Sequence, residues 1–417
     1  MAGLGQSRLA IDFGTSNTAA AVMVGGKPYV IPLEPGERTL PTAVFLDFAT
    51  RRTLFGNNAV AALIAGRDGR FMRALKSILG TPLARETRQI MNERITLLDL
   101  IARFLAQVKA QAEAHCGQRF DQVLSGRPVR FHSKDEARNA QALVDLRECY
   151  LAAGFAAVDF LPEPEAAALA SGALDAGDTT GLIVDIGGGT SDFTVFTVAK
   201  GKVGIVASHG IRLGGTDFDR AISLQTVMPL LGRGTQLRNA MGPGTTTAPV
   251  AIFAELARWE MIPFLYTAAT RRAVAGMAKV AVDAPAFGRF VAVLEDELGH
   301  DIAFAVERGK IAANKGVGAR IVLDPVEAGL SVPLEAEAVQ SALSPYRAEL
   351  QGAALETLER AGMGPEAVAK VVFVGGSSLM GMVAEVMREV FPAAALEYSD
   401  AFTAVVDGLA IAAELQG

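Results

Sequence analysis

Short apolar runs of strand character alternate along this chain with longer Ala- and Leu-rich stretches of helical period, and the order in which they occur repeats. Residues 8–12 read as a buried strand and 18–24 as a second, with Gly25-Gly26 as the turn into a third over 28–32. The same text returns downstream. Residues 181–185, 193–199 and 202–209 form a second set of three strands, with Lys200-Gly201 as the turn. Two such meanders imply two lobes of related topology.

Helical text fills most of the space between them. Residues 58–80 and 97–116 carry apolar side chains at helical spacing with Ala-rich filler. Residues 122–131 read as a strand crossed by Gly126 and Pro128. Ser133, with Glu136 three positions on, makes a capping box for a helix reaching residue 153, and Gly154 ends it. A strand at 158–161 leads into an Ala-rich helix over 166–174, and the break at 175–180 is the best lobe boundary. Further on, 232–249 reads as a long surface loop, followed by helices over 287–300 and 301–314. Strands at 321–324 and 329–333 precede a long helix or helix pair over 334–361. A strand at 370–374, a helix at 380–391 and a last helix at 401–415 complete the pattern.

Composition narrows the class. A chain of 417 residues is too long for one comfortable core, and 50% hydrophobic with 20% charged residues is globular rather than disordered. The net charge of −6, without a basic block, argues against nucleic acid as a partner. Cys116 and Cys149 lie far apart without metal-ligand spacing, which fits a reducing cytoplasm. The four histidines, His115, His132, His209 and His300, share no ligand spacing either. No signal peptide or membrane span is expected.

The candidate chemistry lies in the first turn of each meander. Asp12 ends its strand and is followed by Gly14, Thr15, Ser16 and Asn17. Asp185 ends its own, followed by Gly187, Gly188, Gly189 and Thr190, with Asp192 just beyond. A Gly/Thr/Ser turn can aim backbone N–H groups and hydroxyls into one concavity that suits phosphate oxygens. A carboxylate beside phosphates is repelled unless a hard cation such as Mg2+ sits between them. A single turn of this kind reads equally well as an Asp-capped hairpin, and only the pair favours a shared ligand. Gly214-Gly215 and Gly375-Gly376-Ser377-Ser378 are two more strand-to-Gly-Gly junctions, the second expected to open a helix toward an anion.

In this order, the motifs resemble the superfamily of sugar kinases, heat-shock chaperones and actin, and within it the ATPase region of the DnaK-type heat-shock chaperones. The two Asp-turn motifs resemble the family's two phosphate motifs. Leu161 to Ala168, reading Leu-Pro-Glu-Pro-Glu-Ala-Ala-Ala, is similar to the family segment that carries a catalytic-site Glu, here Glu163. Leu75 to Gly80 is similar to the segment whose lysine reaches the γ-phosphate, here Lys76. Glu307, Lys310 and Asn314 fall on the ribose-holding helix, and 374–378 on the adenosine motif.

The resemblance implies an α/β, actin-like ATPase fold. Two lobes, each with a duplicated ribonuclease-H-like mixed sheet flanked by helices, would enclose a nucleotide cleft. It places lobe I at 1–176, lobe II at 177–396 and a C-terminal helix at 397–417 packing back on lobe I. ATP or ADP with Mg2+ is the implied cofactor, in a cytoplasmic monomer with neither nucleic-acid nor membrane partner. Asp12, Asp185 and Asp192 would surround the metal. Lys76, Glu163, Asp185 and Thr190 would carry slow hydrolysis, and Asp400 would sit near the phosphates or simply cap the last helix.

Departures from the family pattern matter too. Leu379 stands where the family has an Arg that stacks on adenine, and 219–307 is longer than the usual span. No linker or β-rich peptide-binding domain is expected after 415, as in the truncated YegD-like branch. Other readings stay open for single residues. Lys76 reads as a solvent-facing helix lysine, Glu163 as an acid at a helix start, and Glu307 with Lys310 as an exposed i,i+3 pair. A small-molecule kinase and an actin-like filament subunit are the competing functions.

Overall fold

The computed structural model describes residues 8–73, 75–132, 135–171, 178–200, 202–239, 242–259, 261–316, 318–398 and 403–415. The chain divides into two compact units. The first comprises Met1–Arg212, Gly352–Leu379 and Met387–Gly417, and the second Leu213–Gln351 and Met380–Val386.

The first unit contains both expected meanders, each at the heart of its own sheet. One sheet runs in the order Ala157–Pro162, Gln122–Arg127, Leu9–Phe13, Asn17–Val24, Lys27–Ile31, with the short strand Leu40–Pro41 also on Asn17–Val24. The other runs Ala395–Tyr398, Lys370–Val374, Thr179–Ile186, Ser191–Ala199, Lys202–Ile211. In both, the first three strands in sequence pair antiparallel, and the last two join parallel on the far side of the first strand. The order is the same in each: fifth, fourth, first, second, third.

Local sequence explains the turns. Gly25 and Gly26 have φ of 58° and 74°, the left-handed pair that a two-residue hairpin of this twist requires. Lys370–Val374 is buried at every position, as expected of an inner strand paired on both sides in parallel.

Each fifth strand is followed by a helix. Glu163–Ala170 follows the first sheet directly, and Ala404–Leu415 follows the second. The two helices lie against each other and share one buried cluster with both sheets, built from Ala10, Ala19, Leu124, Ile183, Phe196, Val372, Leu409 and their neighbours. Their Ala-rich text reflects the closeness of the crossing. A Cβ on Gly408 would lie 1.7 Å from the Ala166 carbonyl oxygen. A second, larger cluster covers the other face of the first sheet with the helices Leu97–Cys116 and Glu136–Ala152.

Several expectations need correction. The helix expected over 58–80 ends at Ile64, and Gly69–Arg73 is a strand paired with Ala43–Asp47. Its helical period is short-lived because Gly66 turns left-handed, at φ 61°. Lys76 therefore sits on the single 3-10 turn Leu75–Ile78. The helix expected from Ser133 begins at Glu136 and is capped by Asp135, whose side chain accepts from the Arg138 amide. Ser133 lies outside the described residues.

The second unit is mainly helical. Gly215–Thr226, Ala268–Val280, Ala284–Glu295, Gly299–Asn314 and Ala336–Leu343 are its main helices, and Phe253, Phe287 and Phe290 pack ring to ring in its core. The segment 232–249 is not a plain loop. It contains the hairpin Gln236–Arg238 with Thr245–Thr247, made possible by left-handed Gly242 and Gly244. With two sheets of ribonuclease-H-like topology in the first unit, the chain has the actin-like ATPase fold.

Candidate active site

Asp12 and Asp185 occupy equivalent places, near the end of the first strand of each sheet, where the chain leaves for its hairpin. In both hairpins the stems are buried and the tips open. Phe13, Thr18, Ile186 and Ser191 are buried, whereas Thr15, Gly189 and Thr190 are exposed. The second turn closes on itself through the Gly187 amide and the Thr190 carbonyl, 3.0 Å apart. The two tips approach one another. A Cβ on Gly188 would stand 2.8 Å from the Ser16 hydroxyl.

Four carboxylates and one ammonium gather beneath these tips. Lys76, only 7% exposed, donates to Glu163 Oε1 at 2.5 Å. It is neither solvent-facing nor on an α-helix. Glu163 opens its helix, as an acid at an N-terminus can, and also makes the ion pair. Gly126 leaves room for it, since a Cβ there would lie 3.2 Å from the Glu163 Cγ. Asp185 and Asp192 are cross-strand partners in register, so two like charges stand side by side on one face.

The electrostatics follow from this crowding. Burial, with the Glu163 charge nearby, pushes Asp12 up to about 7 despite Lys76. Burial and Glu163 push Asp192 up to about 7 as well, although the Thr190 side chain hydrogen-bonds to it. Burial raises Asp185 well above the ordinary carboxylate range, helped by Glu163, Asp192 and Asp12. Burial works to lower the Lys76 ammonium, but Glu163, Asp12 and Asp185 outweigh it and hold it above its usual value. One lysine cannot balance four acids in a desolvated place, so the residues present fit an additional hard cation. Among the described residues no three His, Cys, Asp or Glu side chains form a cage by themselves. Mg2+ retaining several waters and binding phosphate oxygens does not need one.

Sequence reasoning overlooked the supports of the first turn. Thr42, fully buried, donates through Oγ1 to the Gly14 carbonyl at 2.8 Å, and its amide donates to the Ser16 carbonyl at 2.9 Å. Thr18 completes the chain, with its Oγ1 2.8 Å from that of Thr42. Only the pairing of Leu40–Pro41 with Asn17 and Thr18 could have pointed to Thr42, and a two-residue strand leaves no periodic signal. Ser125 and Tyr150 form a further buried pair at 2.8 Å, with Asp12 and Glu163 close enough to help burial raise the phenol.

The remaining candidates fall in two places. Gly375, in the first unit, is left-handed at φ 80°, and a Cβ there would lie 2.7 Å from Asp185 Oδ1, so this junction abuts the second hairpin. Gly376 and Ser377 follow on a 3-10 turn. Ser378 turns inward to donate to the Gly375 carbonyl at 2.7 Å. Leu379 is exposed.

Within the second unit, Gly214 caps the helix Gly215–Thr226, and its amide donates to Asp217. Lys310 is buried and pairs with Asp219 at 2.8 Å, also donating to the Gly215 carbonyl at 3.4 Å. The exposed i,i+3 pairing of Glu307 with Lys310 is thereby replaced by a tie between two helices. Asn314 Oδ1 accepts from the Gly381 amide at 2.9 Å. Asp400 lies outside the described residues.

Among the described residues no helix is long and apolar enough to cross a membrane. Residues 84–228 match the model of the family described as Hsp70 protein. That span takes in Glu163 and the whole second hairpin, with Asp185 and Asp192. Over that span, which joins the two sheets of repeated strand order, the chain is similar to the Hsp70 proteins.

Proposed function

We propose that this chain binds ATP or ADP with Mg2+ and hydrolyses ATP slowly to ADP and phosphate, as a nucleotide-driven, chaperone-like protein. The observation that carries this reading is Lys76. It is buried on a single turn, paired with Glu163 and within electrostatic reach of Asp12 and Asp185, beneath two hairpin tips of phosphate-binding composition.

Hydrolysis needs little covalent help from a protein. It asks for positioning and for charge complementary to the transferring phosphoryl group. The amides and hydroxyls of Gly14, Thr15, Ser16 and Asn17, and of Gly187, Gly188, Gly189 and Thr190, would hold phosphate oxygens. Lys76 would move its ammonium from Glu163 toward the γ-phosphate, freeing that carboxylate. Glu163 and Asp185 would then orient the attacking water and take its proton. Asp12, Asp185 and Asp192 would hold Mg2+ through its waters, and the ion would neutralise phosphate charge. Gly214, Gly215, Glu307, Lys310, Asn314, Gly375, Gly376, Ser377, Ser378 and Asp400 are the proposed ribose, base and outer phosphate contacts.

Lobes over 1–176 and 177–396, with 397–417 returning to the first, are the proposed division of labour. Two free cysteines suit work as a monomer in the reducing cytoplasm.

The test is a binding screen of ATP, ADP and GTP with and without Mg2+, coupled to phosphate release by the parent and by Lys76→Ala. The parent should release phosphate from ATP without an acceptor, and the variant should bind ADP yet release far less. Equal rates for the two proteins would remove Lys76 from the chemistry. Stoichiometric transfer to a metabolite would replace the ATPase by a kinase.

A further inference from the structure

Lys76 has no helix of its own to fix it. The 3-10 turn Leu75–Ile78 holds one turn only, so its position must be imposed from outside. The geometry points to Asp145 as the residue that does so, a role that rests on Lys76 being the γ-phosphate lysine.

Asp145 lies on the helix Glu136–Ala152 and is fully buried. Its Oδ2 accepts from the Gly80 amide at 2.8 Å. Its Oδ1 accepts from Gln141 Nε2 at 2.8 Å and from Arg85 Nε and Nη2 at 3.0 and 2.6 Å. A buried carboxylate with this many donors is a fixed point rather than a mobile charge.

Gly80 is pressed flat on the same helix. At φ 77° it is left-handed, and a Cβ would lie 2.2 Å from the Arg138 carbonyl oxygen and 3.0 Å from the Ala142 Cβ. The turn between Gly80 and Lys76 is short and tied internally. The Leu79 amide donates to the Lys76 carbonyl at 3.3 Å, and Thr81 Oγ1 donates to the Ile78 carbonyl at 2.6 Å. His132 Nε2 stands 2.7 Å from the Leu79 carbonyl oxygen on the other side. Asp145 thus clamps both ends of the segment after Lys76, at Gly80 and at Arg85. With that clamp loosened, the turn slides on the helix and the ammonium leaves the line between Glu163 and the γ-phosphate. Misplacement by about 1 Å is enough to cost roughly a hundredfold in rate.

Asp145→Asn keeps the shape and one acceptor oxygen but loses the charge that grips Arg85. Phosphate release and the ratio of ATP to ADP affinity are measured for the parent, Asp145→Asn, Lys76→Ala and the double variant, each corrected for its folded fraction. A positioning role lowers kcat about ten- to a hundredfold and weakens ATP relative to ADP, because only ATP presents a γ-phosphate. In the Lys76→Ala background the same substitution should then have no further effect on either quantity.

A purely structural residue would lower the melting temperature and leave kcat and the ATP to ADP ratio at parent values, and that result overturns the inference. So does an undiminished effect of Asp145→Asn when Lys76 is already Ala. Lys76→Ala behaving as the parent removes the reading of the lysine, and the inference falls with it. Should Asp145→Asn not fold, Arg85→Met loosens the same clamp from its half-exposed side. It is expected to shift kcat and the nucleotide ratio in the same direction by a smaller factor, and no shift overturns the proposal.

Discussion

The hairpins after Asp12 and Asp185 have the same place in sheets of the same strand order, yet they are held in opposite ways. The first is tight and supported from outside. A Cβ on Gly14 would lie 2.3 Å from the Asn17 carbonyl, and Thr42 grips the turn at the Gly14 and Ser16 carbonyls. The second is more open at Gly187 and Gly189, and it closes through the Gly187 amide and the Thr190 carbonyl. Its nearest neighbour to a Cβ on Gly187 is the Thr190 carbonyl at 3.8 Å, and Gly189 has nothing within 4 Å. Their charges differ as well. Asp12 faces Ala19 across its hairpin, whereas Asp185 faces Asp192. The same strand order thus frames one turn gripped at two carbonyls and a more open one with twice the acid.

The largest effect should come from the two strand-end acids. Asp12→Asn and Asp185→Asn are each expected to slow phosphate release by about a hundredfold or more, the scale of losing one preorganised electrostatic partner. Asp192→Asn should cost about tenfold, by the same reasoning applied to an outlying member. Single-turnover rates with Mg2+ and ATP rank the three, and an Asp192 effect as large as that of Asp185 would erase the asymmetry.

Next come the glycines. Gly14→Ala must push against backbone and should lower stability by about 1–3 kcal/mol, seen in denaturant unfolding. Gly187→Ala should leave stability nearly unchanged while weakening nucleotide binding, because its glycine leaves space for a ligand rather than for a neighbour. Equal destabilisation by the two substitutions would contradict a tight first turn and a more open second.

A pH effect spans both hairpins. Asp12 and Asp192 rise from 3.8 to about 7 on folding, so between these values the folded chain holds more protons than the unfolded one. Stability without metal should therefore fall as pH rises through that window. Mg2+ with ADP relieves the repulsion only once the acids are ionised, so its gain in Tm should be greater at pH 8 than at pH 5. Equal gains at the two pH values, measured by thermal unfolding with and without EDTA, would mean that the acids do not face the ion. The most local change is expected from Thr42→Val, which loses two neutral hydrogen bonds, to the Gly14 carbonyl and with the Thr18 hydroxyl, and about 2 kcal/mol. It should soften the first turn alone, visible as faster hydrogen exchange in 14–18 with the second hairpin unaffected.

Much of this was legible beforehand because it rests on local rules. The meanders, the helix Leu97–Cys116 and the strand Lys370–Val374 show their period within a few residues of text. The repeated Asp-Gly-Thr composition marked both turns, and burial then showed which side chains meet beneath them. Lys76 is legible by resemblance but its element is not, since the run of 58–80 hides a strand within apparently helical text. Thr42 and Asp145 leave no such trace in the text. A buried Thr between two short strands and a buried Asp on an otherwise ordinary helix look like surface polar residues until their partners are known.

The sequence by itself determined the doubled meander, the composition of its turns and the acids at the strand ends, because strand period and turn chemistry act between near neighbours. Tertiary structure alone decided that Lys76 would be buried against Glu163, that Asp185 would stand beside Asp192 with Gly375 at its back, and that Asp145 would fasten the lysine turn. Those contacts join residues far apart in the chain, and their cost or benefit depends on desolvation, which exists only once the sheets and helices have closed over them.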